Sequence, residues 1–126
     1  MGKIILMTAS VLLAMAVAAG AFGAHALKTH LSSEMLQTWK TAVDYHFYHA
    51  LGLLLIGVLA LVLPDVNFKW PGILLFAGIL LFSGSLYAMA LSGMKVLGAI
   101  TPIGGLSFIA GWILLFWMVW KKIPAL

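Results

Sequence analysis

Four long apolar runs, separated by short polar connections, organise this chain. They cover about residues 4–24, 45–63, 72–91 and 102–120. Each is ~20 residues long, the length of an α-helix that crosses the hydrocarbon core of a bilayer. Pro64 closes the second run, and Pro71 suits the first turn of the third. The turn Asp65-Val66-Asn67-Phe68-Lys69 is short, so runs two and three are antiparallel neighbours. The longest polar connection extends from Lys28 to Asp44. Ser32 or Ser33 can cap a helix there, with Glu34 in the first turn, where the helix dipole favours an acid. Met35, Leu36, Trp39 and Val43 then share one face, and Glu34, Gln37, Lys40, Thr41 and Asp44 occupy much of the rest. This pattern predicts a short interfacial helix over about 32–44 that can continue into the second run, with Trp39 at headgroup level. The expected fold is all-α: a four-helix transmembrane bundle, one domain over residues 1–126, with an interfacial helix between the first two crossings.

Composition agrees. Hydrophobic residues make up 64% of the 126 positions and charged residues 8%, too little polar surface to cover a water-soluble core of this size. The chain has no cysteine, which removes disulfides, thiolate metal sites and redox thiols. All seven basic residues are lysines, and no lysine run exceeds Lys121-Lys122. Nucleic-acid binding calls for a basic patch with bidentate donors, so no nucleic-acid partner is expected. In the first run, Lys3, the apolar stretch and Ala19-Gly20-Ala21 also match a cleavable signal peptide. The run is long enough to span the membrane, which favours its retention as a helix.

With four crossings, both termini and the second loop lie on one side, which carries Lys3, Lys69, Lys121 and Lys122. The other side carries Lys28, Lys40 and Lys95. The excess of lysines points to cytoplasmic termini. Trp117, Trp120, Lys121 and Lys122 pair interfacial aromatics with cationic anchors.

The same topology gathers the polar side chains. His25, Lys28, Asp44, Tyr45, His46, Tyr48, His49, Ser85, Tyr87, Thr101 and Ser107 all fall toward one half of the bilayer, and the half near the termini is almost purely apolar. Polar groups in lipid face the bundle interior and find partners there. His46 and His49 share a helix face, Tyr45 and His49 are one turn apart, and Lys40 and Asp44 have the spacing of an ion pair. Three readings of this cluster stand. In the first, the residues satisfy one another, backbone carbonyls or headgroups. In the second, His25, Lys28, Asp44, Tyr45, His46, His49, Ser85, Tyr87 and Thr101 form a ligand or proton site, since imidazole titrates near neutral pH. In the third, the histidines hold haem, zinc or copper. The third is weakened because His46 and His49 lie on one helix near its end, and no metal or cofactor is expected.

Small residues recur at helix-packing intervals. Ala16, Gly20 and Ala24 are spaced by four, as are Ala19 and Gly23, Gly84 and Ala88, and Ser107 and Gly111. Gly104-Gly105 after Pro102 fits tight packing, or backbone groups left free to meet a ligand. Catalytic groups are few. Glu34, Asp44 and Asp65 are the only carboxylates on side chains, and an Asp44–His–Ser relay lacks a nucleophile elbow. No catalytic residue is assigned, and the chain reads as a non-enzyme.

Gly20-Ala21-Phe22-Gly23-Ala24-His25-Ala26-Leu27-Lys28 resembles the signature of the small membrane proteins grouped as domain of unknown function 423. The group is also called uncharacterised protein family 0382, with animal relatives of the transmembrane protein 256 type. The resemblance continues through Thr41-Ala42-Val43, Tyr45, His46, Tyr48, His49, Ala50 and Leu51. It extends to Phe82-Ser83-Gly84-Ser85-Leu86-Tyr87, to Thr101-Pro102-Ile103-Gly104-Gly105 and to Gly111-Trp112, which covers nearly the whole chain in order. It implies a compact four-helix protein of the bacterial inner membrane and carries no activity with it. Two function classes remain in front: a packing or accessory protein that self-associates or joins a larger membrane complex, and a lipid- or small-molecule-binding or transport component built on the polar cluster.

Overall fold

In the computed structural model, residues 1–122 are described; the end of the expected single domain, residues 123–126, lies outside them. Four helices long and apolar enough to cross a membrane follow in sequence. Helix α1 is Gly2–His25, α2 is Ser33–Val62, α3 is Lys69–Ser92 and α4 is Thr101–Lys122. Short 3₁₀ turns at Leu27–Thr29 and Lys95–Ala99 connect α1 to α2 and α3 to α4.

The amphipathic stretch after Ser32 and the second apolar run form one helix. No proline or glycine interrupts Ser33–Leu51, so nothing breaks the hydrogen-bond ladder. At 30 residues, α2 is ~45 Å long against a hydrocarbon thickness of ~30 Å. It is therefore longer than a straight crossing needs. Ser32 caps it, its Oγ accepting from the Met35 N–H at 3.2 Å. The helix ends at Val62, before Pro64. Gly93, at φ 72°, terminates α3 in the left-handed conformation that a residue without Cβ adopts freely.

The helices run antiparallel in order. Helix α1 packs mainly on α2, α4 packs mainly on α3, and α2 and α3 form the centre. The main core joins Ala9, Leu12, Leu53, Ile56, Leu75, Ile79, Phe108 and Leu115, with Phe68 of the second loop wholly buried beneath them. A smaller cluster at the other end joins Leu27, Trp39 and Ala90, with Tyr87 packed against it. Large apolar side chains such as Ile4, Val62, Leu106 and Phe116 point outward, as lipid-facing positions do.

Helix α3 contains one π-helical turn, Ile79–Ser83. The wider turn changes the angular spacing of the residues on either side. Ser83 meets α2 and Ser85 meets α4, so the helix bonds to both neighbours within a few residues. Helix α4 presses against this turn at Gly104, where a Cβ would collide with the Phe82 backbone.

Candidate functional site

The polar residues of the bundle form an interior group and a surface group. His46 and His49 begin the interior group. Both are buried on the face of α2 that meets α3 and α4. His46 Nδ1 and the Tyr87 hydroxyl lie 3.0 Å apart, while His46 Nε2 is buried with no hydrogen-bond partner among the described residues. His49 Nδ1–H donates to the Tyr45 carbonyl at 2.7 Å. The His49 ring stacks on Phe108, with centroids 3.4 Å apart and planes 10° apart. Tyr45 stacks in turn on Phe82 at 4.5 Å and keeps its other side exposed.

Hydroxyls complete the interior group. Ser83 Oγ donates to the Ala42 carbonyl of α2 at 2.8 Å. Ser85 Oγ donates to the Phe82 carbonyl at 2.9 Å and lies 2.6 Å from Thr101 Oγ1. A serine hydroxyl carries one proton, so with that proton on Phe82 its oxygen accepts from Thr101. Near mid-depth, Ser107 Oγ donates to the Leu74 carbonyl at 2.7 Å. The helices are thus tied α2 to α3 by the His46–Tyr87 and Ser83–Ala42 bonds, and α3 to α4 by the Ser85–Thr101 and Ser107–Leu74 bonds.

Trp39 is turned inward rather than outward toward lipid or water. It is buried against α1, its Nε1–H donating to the Ala19 carbonyl at 2.8 Å. Its ring packs on Tyr87 at 4.6 Å and on Phe22 at 6.1 Å. Gly23 makes this possible, because a Cβ there would overlap the indole.

The surface group lies on the other side of α1 and α2. Lys40 Nζ and Asp44 Oδ2 form an exposed ion pair at 2.7 Å. With Lys28 they line a cleft of about 470 Å³ between the end of α1 and the start of α2. His25 is exposed at the end of α1 and shares no hydrogen bond with His46 or His49. No set of three His, Cys, Asp or Glu side chains is arranged to hold a metal ion among the described residues. Asp44, the nearest acid in sequence to the histidines, is turned to Lys40.

Among the small residues, Ala16 is wholly buried, Gly20 approaches Val43, Gly104 meets the Phe82 backbone, and Gly111 meets Leu75. Gly84 and Gly105 are half-buried, and Ala24 and Ala88 face outward. Sequence reasoning left Ser83, Phe82 and Phe108 out of the site. Ser83 sits in the same motif as Ser85, and their two-residue spacing already points them to opposite sides of a helix. Phe108 carries no polar signal at all.

A family model described as "Protein of unknown function (DUF423)" matches residues 19–105. The chain is 48% identical over 107 residues to the UPF0382 membrane protein of Staphylococcus haemolyticus, covering 85% of this chain and 87% of that one. It is 47% identical over 107 residues to the corresponding protein of Staphylococcus aureus strain bovine RF122, with the same coverage. A Staphylococcus epidermidis relative is 48% identical over 101 residues, 80% of this chain and 82% of its own. No solved structure matches the chain.

Proposed function

This chain belongs to the DUF423 family of membrane proteins, and we propose that it is a non-enzymatic packing or accessory protein of the bacterial inner membrane, with cytoplasmic termini, that associates with copies of itself. The observation that carries this reading is a second small-residue stripe on α1. One stripe, with Gly2, Ala9 and Ala16, is buried in the protomer. The other, Ser10, Ala14, Ala18 and Ala21, recurs at four, four and three residues on the exposed face. Small residues at that spacing allow two helices in lipid to come close enough for backbone packing. The interior polar group supports the same reading, since Ser83, Ser85, Thr101, Ser107 and Tyr87 are engaged in bonds between helices.

The chain's lack of cysteine makes the test direct. Ala14→Cys and Ala18→Cys should each give a disulfide-linked dimer on mild oxidation in native membranes. Ile109→Cys, exposed on α4, should remain monomeric. Absence of the α1 dimer, or equal cross-linking at Ile109, would overturn self-association through this face. The ligand-binding reading rests on the buried, unpartnered His46 Nε2. It would gain if a copurifying molecule were lost from His46→Phe while the variant stayed folded.

A further inference from the structure

We propose that the cleft between the end of α1 and the first turns of α2 binds the headgroup of an anionic phospholipid, its phosphate held between Lys28 and Lys40. Three features converge there. Space comes first. Gly20, Gly23 and Ala24 present little or no side chain along α1, and the indole of Trp39 is drawn inward by its bond to the Ala19 carbonyl. About 470 Å³ is left open between the helices.

Charge comes second. Lys28 is exposed and forms no ion pair among the described residues. Asp44 occupies one side of the Lys40 ammonium, and an ammonium has three N–H donors, so two remain for a phosphate. Two lysines against one carboxylate leave the cleft net positive. That favours a lipid with net negative charge over phosphatidylcholine, whose phosphate is neutralised by its own quaternary ammonium.

Depth comes third. Along α2, Val43 lies one turn deeper than Lys40, so the cleft passes from an ammonium to an apolar side chain in the order in which a phospholipid presents phosphate and then acyl chain. A groove of similar size at the opposite end of the bundle, about 460 Å³ between α1 and α3, sharpens the contrast. It is walled by Ile5, Leu53, Ile73 and Phe76, with Lys69 as its one charged side chain. Its lining has one lysine side chain where the first cleft has two.

Native mass spectrometry of the full chain, released from micelles containing equal amounts of phosphatidylglycerol and phosphatidylcholine, tests the assignment. The wild type should retain phosphatidylglycerol in preference. Lys28→Gln and Lys40→Gln should each reduce that retention about fivefold, the effect of one lysine near an anionic headgroup. Lys69→Gln should leave it unchanged. Ala24→Phe fills the cleft without altering charge and should also abolish the preference; matching thermal melts establish that each variant is folded. Equal retention of the two lipids, or undiminished phosphatidylglycerol binding in the Lys28→Gln/Lys40→Gln double variant, overturns the proposal. Displacement of the lipid by millimolar inorganic phosphate would assign the site to a soluble anion and overturn it as well.

Discussion

At the end of the bundle where the chain begins, α1, α2 and α3 meet through Ile5, Leu53, Ile56 and Leu75, with Phe68 of the loop closing the base. Between the Ser107–Leu74 bond and that base, no side-chain hydrogen bond joins two helices among the described residues. At the opposite end, four side-chain hydrogen bonds join the four helices among the described residues: Trp39 to Ala19, His46 to Tyr87, Ser83 to Ala42, and Ser85 to Thr101. The difference follows from the solvent. Lipid tails are as apolar as leucine, so burying leucine against leucine gains only contact and shape. An apolar end therefore packs well but tolerates small slips, whereas a hydrogen bond fixes one register. The polar end sets which residues face each other, and the apolar end fills the space that this register defines.

The contrast is broken most severely where α3 and α4 touch backbone to backbone. Gly104→Leu places a side chain against the Phe82 backbone, which cannot move without opening the π turn. The helices must separate, and the Ser85–Thr101 and Ser107–Leu74 bonds go with them. A loss of about 3 kcal/mol or more is expected, read from the midpoint of SDS-induced unfolding in mixed micelles or as failure to recover folded protein. A wild-type midpoint would show that the close approach does not determine the α3–α4 register.

A smaller effect is expected at the apolar end. Leu75 is wholly buried, and a Cβ on Gly111 of α4 would meet its side chain. Leu75→Ala leaves a cavity, but the unfolded reference in lipid gives back part of the transfer energy. A cost of about 2 kcal/mol is expected by the same unfolding measurement, chiefly from the cavity. A cost below that of removing a single hydroxyl at the polar end would mean that packing adds less here than the shape of the core implies.

The sequence made some of this legible and concealed the rest for a physical reason. Four crossings could be read because apolar length is a property of each segment alone. The concentration of polar side chains at one end could be read as well, because alternating crossings fix which segment ends lie together. Angular placement about each helix axis could not. Asp44 and His46 lie two residues apart on α2, yet Asp44 lines an outer cleft with Lys28 while His46 meets Tyr87 between α2 and α3. The π turn at Ile79–Ser83 alters those angles within α3 itself. Trp39 also shows the limit of local pattern. Its place on an amphipathic face fits an interfacial anchor, but the space left by Gly23 and the bond to the Ala19 carbonyl, both on another helix, turn it inward.

The finest test of the comparison is the His46–Tyr87 contact itself. Tyr87→Phe removes the hydroxyl 3.0 Å from His46 Nδ1 and keeps the ring that packs on Trp39. The variant leaves the buried imidazole without its side-chain partner. In water-soluble cores such a loss costs ~1–3 kcal/mol. In a bilayer the unfolded helices find other partners, so about 1 kcal/mol is expected. Adding His46→Phe replaces both polar partners by apolar rings and should restore part of the loss, because no unsatisfied nitrogen then remains. If Tyr87→Phe unfolds like the wild type and the double variant shows no coupling, the contact does not hold α2 to α3. The polar end would then be secured by packing, as the other end is, and directional bonding would no longer account for its register.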